Sequence, residues 1–143
     1  VLLGTGDIGL DASAVADRGL AITGNGGANA ITGTAFNDSV LGGGGDDLIA
    51  GGGGADTVDG GAGIDTVRFD GNAADYTVTW DGTTAIVTHT ASGDATTVTT
   101  AGRLSFADSD TLLVGAGGDF ATIQSAVDAA GDGDEILVAA GTY

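Results

Sequence analysis

The sequence contains no cysteine, proline, methionine or lysine, and two of these absences limit what the chain can do. Without cysteine it has no disulfides, no thiolate metal ligands and no cysteine nucleophile. Without lysine, three arginines face 20 acidic residues, for a formal net charge of −17. No basic face is available to neutralise phosphates, so nucleic acid and anionic membranes are not expected as partners. The natural partners of such a chain are cations.

Long apolar runs and catalytic side chains are also scarce. No apolar run approaches the roughly 18–20 residues needed to cross a bilayer, so we expect no membrane span. His89 is the single histidine, which with no cysteine is too little for a zinc site. A catalytic triad would have to assemble around this one residue. We therefore expect no catalytic site in this chain.

Glycine is abundant, at 29 of 143 residues, and much of it follows a nine-residue period. Residues 24–68 divide without a gap into the nonapeptides GNGGANAIT, GTAFNDSVL, GGGGDDLIA, GGGGADTVD and GGAGIDTVR. Position one is always glycine, position six is Asp or Asn, and position eight is aliphatic. The position-six residues are Asn29, Asp38, Asp47, Asp56 and Asp65, and the position-eight residues are Ile31, Val40, Ile49, Val58 and Val67.

This period predicts a coil of short strands and tight turns. The aliphatic residue and its neighbours form the strand, and the glycines allow the positive φ angles of the turn. If each nonapeptide is half a coil, residues 18 apart stack about 4.8 Å from each other. Two inner ladders follow, namely Ile22, Val40 and Val58 on one sheet and Ile31, Ile49 and Val67 on the other.

The same stacking brings the position-six carboxylates together. Asp38 is paired with Asp56, Asp47 with Asp65, and Asn29 more weakly with Asp47. Because no lysine separates these acids, a hard divalent ion is needed, and Ca²⁺ takes six to eight oxygen ligands. The predicted side-chain ligands are Asp38, Asp47, Asp56, Asp65 and Asn29, with carbonyl groups from Gly42, Gly43, Gly45, Gly51, Gly52, Gly54, Gly60, Gly61 and Gly63.

The repeats resemble the GGxGxDxUx nonapeptide of the RTX family of calcium-binding parallel β-rolls. GGGGDD, GGGGAD and GGAGID meet the full motif, whereas the first two repeats depart from it at Asn25, Asn29, Thr34 and Phe36. The resemblance implies Ca²⁺ held between adjacent turns. It also implies a secreted bacterial protein, exported by a type I system, that folds only outside the cell.

Threonine replaces glycine after the repeats, and the pattern changes to antiparallel strands. Residues 76–80 alternate, Asp81-Gly82 gives a hairpin signal, and residues 85–90 form a second strand. Further strands are predicted over residues 96–100 and 104–106. We expect a small antiparallel cap that covers the open end of the roll.

The last segment predicts one helix and one strand. Asp119 or Thr122 can cap the helix, and Gly131 suits a left-handed stop. A strand follows over residues 135–140. The apolar residues at helical spacing are Phe120, Ile123, Val127 and Ala130.

This last segment is similar to the opening of right-handed parallel β-helix proteins of the pectin-lyase-like superfamily. In that superfamily the first helix plugs the end of the coil. The resemblance implies an activity on acidic polysaccharides, as a lyase, esterase or epimerase. The catalytic residues of such enzymes lie in later coils, which this sequence does not contain.

The sequence thus predicts an all-β chain in three segments. Residues 1–70 form the calcium-binding parallel β-roll, residues 71–113 the cap, and residues 114–143 the capping helix and first strand of a truncated β-helix domain. The favoured function is a calcium-binding structural module of a secreted protein. The alternatives are the leading, accessory part of a polysaccharide-active enzyme and a segment of an adhesin or surface-layer protein.

Overall fold

The computed structural model describes residues 4–141, which form two long β-sheets, one short α-helix and one 3-10 helical turn at Ala73–Asp75. In the first half of the chain, short strands are separated by glycine-rich turns. Their bounds are β1 Ile8–Asp11, β2 Ala21–Thr23, β3 Asn29–Thr32, β4 Ser39–Gly44, β5 Leu48–Ala50, β6 Thr57–Ala62 and β7 Thr66–Arg68.

These seven strands form the predicted parallel roll. Successive strands alternate between two sheets, so that β1, β3, β5 and β7 are neighbours in one sheet and β2, β4 and β6 in the other. Every neighbouring pair among them is parallel. Two strands and two turns therefore make one coil of about 18 residues, as the nine-residue period predicts.

The two predicted inner ladders are confirmed. Val40 lies opposite both Ile22 and Val58, and Ile49 lies opposite both Ile31 and Val67. All six side chains are buried, and they belong to one hydrophobic core. Leu10 of β1 lies opposite Ile31, so the roll begins upstream of the repeats.

The second half of the chain adds six strands and the helix. The helix α1 packs against β12 and β13. No helix in the described part of the chain is long and apolar enough to cross a membrane. The bounds are β8 Tyr76–Trp80, β9 Thr84–His89, β10 Ala95–Thr99, β11 Arg103–Ser105, β12 Asp110–Val114, α1 Ile123–Ala129 and β13 Glu135–Val138.

The segment after the repeats is not a purely antiparallel cap. The predicted hairpin of β8 and β9 is confirmed, and β9 pairs antiparallel with β10. However, β10 pairs parallel with β6 and β11 pairs parallel with β7, so both sheets of the roll continue through this segment. Val98 lies opposite Val58, and Leu104 lies opposite Val67. The chain adds a further coil because that pairing covers the end of both ladders.

The helix forms where predicted but ends differently. The Thr122 hydroxyl accepts a hydrogen bond from the Ser125 backbone N–H at 3.1 Å, which confirms Thr122 as the cap. The predicted left-handed stop at Gly131 is wrong, because Ala130 closes the helix in an extended conformation and the positive φ is at Gly133. The short connection to β13 makes its left-handed turn there instead.

The predicted apolar face of the helix is only partly used. Phe120 is buried, but Ile123 and Val127 are exposed, and Ala126 is the buried residue within the helix. With only two turns, the helix contacts the sheet through a narrow strip, and the small alanine allows close approach. The strand β13 pairs parallel with β12.

The ladders predict that substitutions at two adjacent residues lower the stability of the chain by unequal amounts. Ile49 is 0% exposed and Leu48 is 43% exposed. We expect Ile49→Ala to lower the free energy of unfolding of the calcium-bound chain by about 2–5 kcal/mol, since it leaves a cavity in the ladder. Leu48→Ala should change it by less than about 0.5 kcal/mol. Urea denaturation in calcium buffer measures both, and equal losses would contradict the ladder assignment.

Candidate metal centre

The position-six side chains lie at the end of each glycine turn, where the chain enters a strand. They form two rows, which we call the Asp47 row (Asn29, Asp47 and Asp65) and the Asp38 row (Asp38 and Asp56). All five side chains are buried, with at most 4% exposure. The structure thus stacks the acids as the sequence predicts. It also buries them at the edge of the coil.

Main-chain hydrogen bonds fix the spacing within each row. The Asp47 N–H donates to Asp65 Oδ1 at 2.8 Å, and the Asp38 N–H donates to Asp56 Oδ1 at 2.9 Å. The Asn29 N–H donates to Asp47 Oδ1 at 2.7 Å. One oxygen of each later carboxylate is therefore held by the residue 18 positions earlier, and the other oxygen is left for a different partner.

Two of these second oxygens have no partner. Asp47 Oδ2 and Asp65 Oδ2 are buried and accept no hydrogen bond within the described part of the chain. A buried polar group without a partner costs about 1–3 kcal/mol, and a charged one costs more. A cation beside these oxygens would remove that cost.

The unpaired oxygens face main-chain carbonyl groups across the position-one glycines. A methyl group on Gly42 would lie 2.4 Å from Asp47 Oδ2 and 2.3 Å from the Gly60 carbonyl oxygen. Two oxygens from adjacent coils thus lie close beside Gly42, where no side chain larger than that of glycine fits. The same arrangement recurs at Gly33. This donor set of carboxylate and carbonyl oxygens fits Ca²⁺.

The other predicted glycine ligands make the turns themselves. Positions two and four of the three full repeats have φ between 84° and 136°, a region that favours glycine. Which of these carbonyl groups contact an ion stays a prediction. The residues concerned are Gly43, Gly52 and Gly61 at position two and Gly45, Gly54 and Gly63 at position four, while Gly42, Gly51 and Gly60 at position one are buried.

Burial makes the carboxyl groups of Asp56 and Asp65 hard to ionise. It raises the pKa of Asp65 to about 7 and that of Asp56 to about 6, and neighbouring acids add to both effects. The ion pairs found among residues 4–141 join Arg18 to Asp17 and Arg103 to Asp110, so neither serves the two rows. Ionised at neutral pH, these carboxylates oppose folding unless a cation compensates them.

Side-chain clusters of the usual metal-binding kind are not found among the described residues. No group of three or more His, Cys, Asp or Glu side chains converges in the part of the chain that the structure describes. A site here would combine two carboxylates with main-chain carbonyl oxygens. That composition suits calcium rather than zinc.

Asn29 differs from the acids in what it offers its row. Its amide nitrogen donates to Asp47 Oδ1 at 2.8 Å and to the Gly27 carbonyl oxygen at 2.6 Å. Its own Oδ1 is buried without a partner in the described residues. In this orientation an amide donor, rather than a ligand oxygen, faces Asp47. The role of Asn29 as a ligand remains a prediction.

Thr34 provides a comparable substitute in the Asp38 row. The Thr34 N–H donates to Asp38 Oδ2 at 2.6 Å, and the Thr34 hydroxyl lies 3.0 Å from the same oxygen. Both oxygens of Asp38 therefore have partners, because the Leu20 N–H also donates to Asp38 Oδ1 at 2.6 Å. Thr34 thus adds a hydrogen-bond donor at the oxygen that the full repeats leave unpaired, whereas Asn29 donates to Asp47 Oδ1 and leaves Asp47 Oδ2 without a partner.

Three polar side chains near the rows were not among the predicted site residues. Asn37 and Asp46, at position five, accept hydrogen bonds from the N–H groups of Ala55 and Ile64 at 3.0 and 2.8 Å. They connect turns 18 residues apart, and their shared polar character was the available signal. The third is Asp119, which lies against Asp65 and carries no repeat signal.

Two glycines of one turn make a matched test of the metal centre. We expect Gly42→Ala to raise the calcium concentration needed for folding at least tenfold, because its methyl group would collide with both converging oxygens. Gly44→Ala should change it less than twofold, since its methyl group would meet no atom closer than 3.7 Å. Circular dichroism during calcium titration measures both midpoints. Equal midpoints for the two variants would contradict the close approach of Asp47 and the Gly60 carbonyl group to Gly42.

Comparison with known proteins agrees with this geometry. The family model described as the RTX calcium-binding nonapeptide repeat matches residues 23–58 and 32–67. This match ends before the β-helix-like segment and gives that prediction no support. No curated protein sequence matches the chain.

A solved structure also resembles part of the chain. The extracellular lipase LipA from Serratia marcescens matches with 28% sequence identity and a TM-score of 0.54, over 56% of this chain. The match spans 13% of the lipase. Together with the repeats and the buried carboxylate rows, these findings show that residues 23–67 are RTX calcium-binding nonapeptide repeats folded as a parallel β-roll.

Proposed function

We propose that this chain is a structural module of a secreted protein and that calcium binding drives its folding outside the producing cell. The observation that carries the proposal is the pair of buried, unpartnered oxygens, Asp47 Oδ2 and Asp65 Oδ2. A fold that buries such groups in a chain with three arginines depends on a cation from solution.

Different residues of the roll supply the different oxygen ligands of the ion. Asp47 and Asp65 supply the carboxylates, and the Gly60 carbonyl oxygen lies with Asp47 Oδ2 beside Gly42. In the Asp38 row, Asp38 Oδ2 and the Gly51 carbonyl oxygen also lie beside Gly33, but Thr34 already donates to Asp38 Oδ2, so this row offers the weaker site. Bound calcium supplies the positive charge that these oxygens lack. The aliphatic ladders then fix the distance between turns.

Mass action turns this binding into a switch. A ligand that binds only the folded coil stabilises it by RT ln(1 + [L]/Kd), which is about 2.7 kcal/mol per site at 100 times Kd. Extracellular calcium modules have Kd values of about 10⁻⁴–10⁻³ M. At the low calcium concentration inside a cell the chain stays unfolded, and at the higher concentration outside the cell it folds.

Several features support the extracellular location. RTX repeats are typical of secreted bacterial proteins, and the similar Serratia marcescens lipase is described as extracellular. The absence of cysteine fits a chain that is closed by ions rather than by disulfides. Export by a type I system, in an unfolded state, belongs to the same proposal. An activity on polysaccharide, or a role in adhesion, concerns the whole protein and stays a prediction.

Calcium titration tests the proposal. In chelator we expect the far-UV circular dichroism spectrum of an unfolded chain, and in millimolar calcium that of a β protein. Asp47→Asn should raise the midpoint about tenfold or more, since a hydrogen-bonded charge is worth about 1.5–3 kcal/mol. Asp17→Asn, at an exposed residue, is the control and should leave the midpoint within twofold.

The result that contradicts the proposal is a β spectrum of equal strength in chelator and in calcium. A titration in which Asp47→Asn and Asp17→Asn behave alike would also contradict it, because both variants remove one negative charge.

A further inference from the structure

The Asp47 row continues beyond the last nonapeptide. The strand next to β7 is β11, where Arg103 lies opposite Thr66. By this register Gly102 lies opposite Asp65, and its N–H donates to the Asp65 carbonyl oxygen at 3.1 Å. The coil after the repeats therefore has Gly102 at position six. It lacks the carboxylate that the row would need there.

Asp119 fills the place of this missing side chain. A methyl group on Gly102 would lie 3.0 Å from both Cβ and Oδ2 of Asp119. Asp119 Oδ2 accepts a hydrogen bond from the Asp65 N–H at 2.7 Å. Asp65 Oδ1 accepts the matching bond from the Asp47 N–H at 2.8 Å. A carboxylate from the segment before α1 thus occupies the next place in the row.

Thr100 replaces the carbonyl group of the missing repeat. A methyl group on Gly60 would lie 2.5 Å from Asp65 Oδ2 and 2.2 Å from the Thr100 carbonyl oxygen. The corresponding distances at Gly42, to Asp47 Oδ2 and the Gly60 carbonyl oxygen, are 2.4 and 2.3 Å. A carboxylate oxygen and a carbonyl oxygen therefore lie beside Gly60, after the last repeat, as they lie beside Gly42 within the repeats.

The backbone of Thr100 is strained to reach this place. Its φ of 45° is the sole positive value at a non-glycine residue among residues 4–141. Positive φ is costly for a β-branched residue. Its hydroxyl accepts a hydrogen bond from the Gly61 N–H at 2.9 Å and donates to the Asp59 carboxylate, which holds the conformation.

Within residues 4–141, Asp65 Oδ2 and the Thr100 carbonyl oxygen have no positively charged partner. Asp65 is 0% exposed, and its Oδ2 has no hydrogen-bond partner within the described chain. The nearby Arg103 guanidinium is engaged elsewhere, since it bonds Asp110 at 2.7 Å and the Ala129 carbonyl oxygen at 3.0 Å. The second acid, Asp119, adds negative charge at this point. A cation is the missing component.

We propose that Asp65, Asp119 and the Thr100 carbonyl oxygen form a further Ca²⁺ site, outside the nonapeptide repeats, that joins the segment before α1 to the end of the roll. This inference rests on the proposed function, because it extends the same kind of site by one step. It makes calcium order the chain downstream of the repeats as well as the repeats themselves.

The Asp38 row ends differently and provides an internal comparison. There the Asp56 N–H faces the Thr96 hydroxyl at 3.5 Å, so a neutral group takes the place of the next carboxylate. Because a hydroxyl rather than a carboxylate holds the next place in the row, that end offers a weaker site. The extra site therefore belongs to the Asp47 row alone.

Ion counting tests the inference. Isothermal titration calorimetry with calcium chloride on the whole 143-residue chain gives the number of ions bound per chain. Asp119→Asn keeps the size and the acceptor for the Asp65 N–H, and it should bind one ion fewer than the unmodified chain. The control is Asp128→Asn, which removes the same charge from an exposed position on α1 and should bind the full number. An unchanged count in Asp119→Asn overturns the inference.

A second measurement covers the case in which Asp119→Asn does not fold. A crystal structure of the unmodified chain grown in calcium chloride, with anomalous data, locates each ion. An ion in contact with both Asp65 and Asp119 supports the inference. Ions in the repeats with none between Asp65 and Asp119 overturn it while leaving the proposed function intact. No calcium bound anywhere overturns the proposed function as well.

Discussion

The whole roll depends on neutralising carboxylates that the fold buries. Asp47 and Asp65 each leave one oxygen without a partner inside the coil edge, and the chain has almost no positive charge to offer them. The aliphatic ladders bring the coils to their spacing, but that same spacing stacks the acids. Hydrophobic packing and charge repulsion therefore oppose each other at every turn. A cation between turns changes repulsion into attraction, and the two forces then act together.

The two ends of the carboxylate rows differ in how strongly they require a cation. In the first two repeats, Asn29 and Thr34 supply hydrogen-bond donors to the carboxylates, which reduces the need for an ion. At the other end, Asp119 extends the need to a segment far along the chain. Under the proposed function, calcium dependence is thus concentrated in the full repeats, and the proposed site at Asp119 carries it toward the C-terminal side of the roll.

The sequence predicts the parts of the structure that repeat, and misses those that depend on distant pairing. The nine-residue period was enough to place Ile49 and Val67 in one ladder and Asp47 beside Asp65. Nothing local shows that β10 and β11 return to the roll in parallel, since that pairing is decided by the need to cover its open end. The sequence does not reveal the role of Asp119 for the same reason. The residue at position six of the next coil is Gly102, which has no side chain, so the repeat pattern gives no sign that an acid lies there.

The most direct test of this account is amide hydrogen exchange of the unmodified chain with and without calcium. The N–H groups of Asp38 and Asp47 donate to carboxylates of the next coil, so they report on the rows themselves. The account predicts strong protection of both in millimolar calcium and exchange at the rate of an unfolded chain in chelator. Equal protection in both conditions would show that the buried carboxylates need no cation, and it would contradict the account.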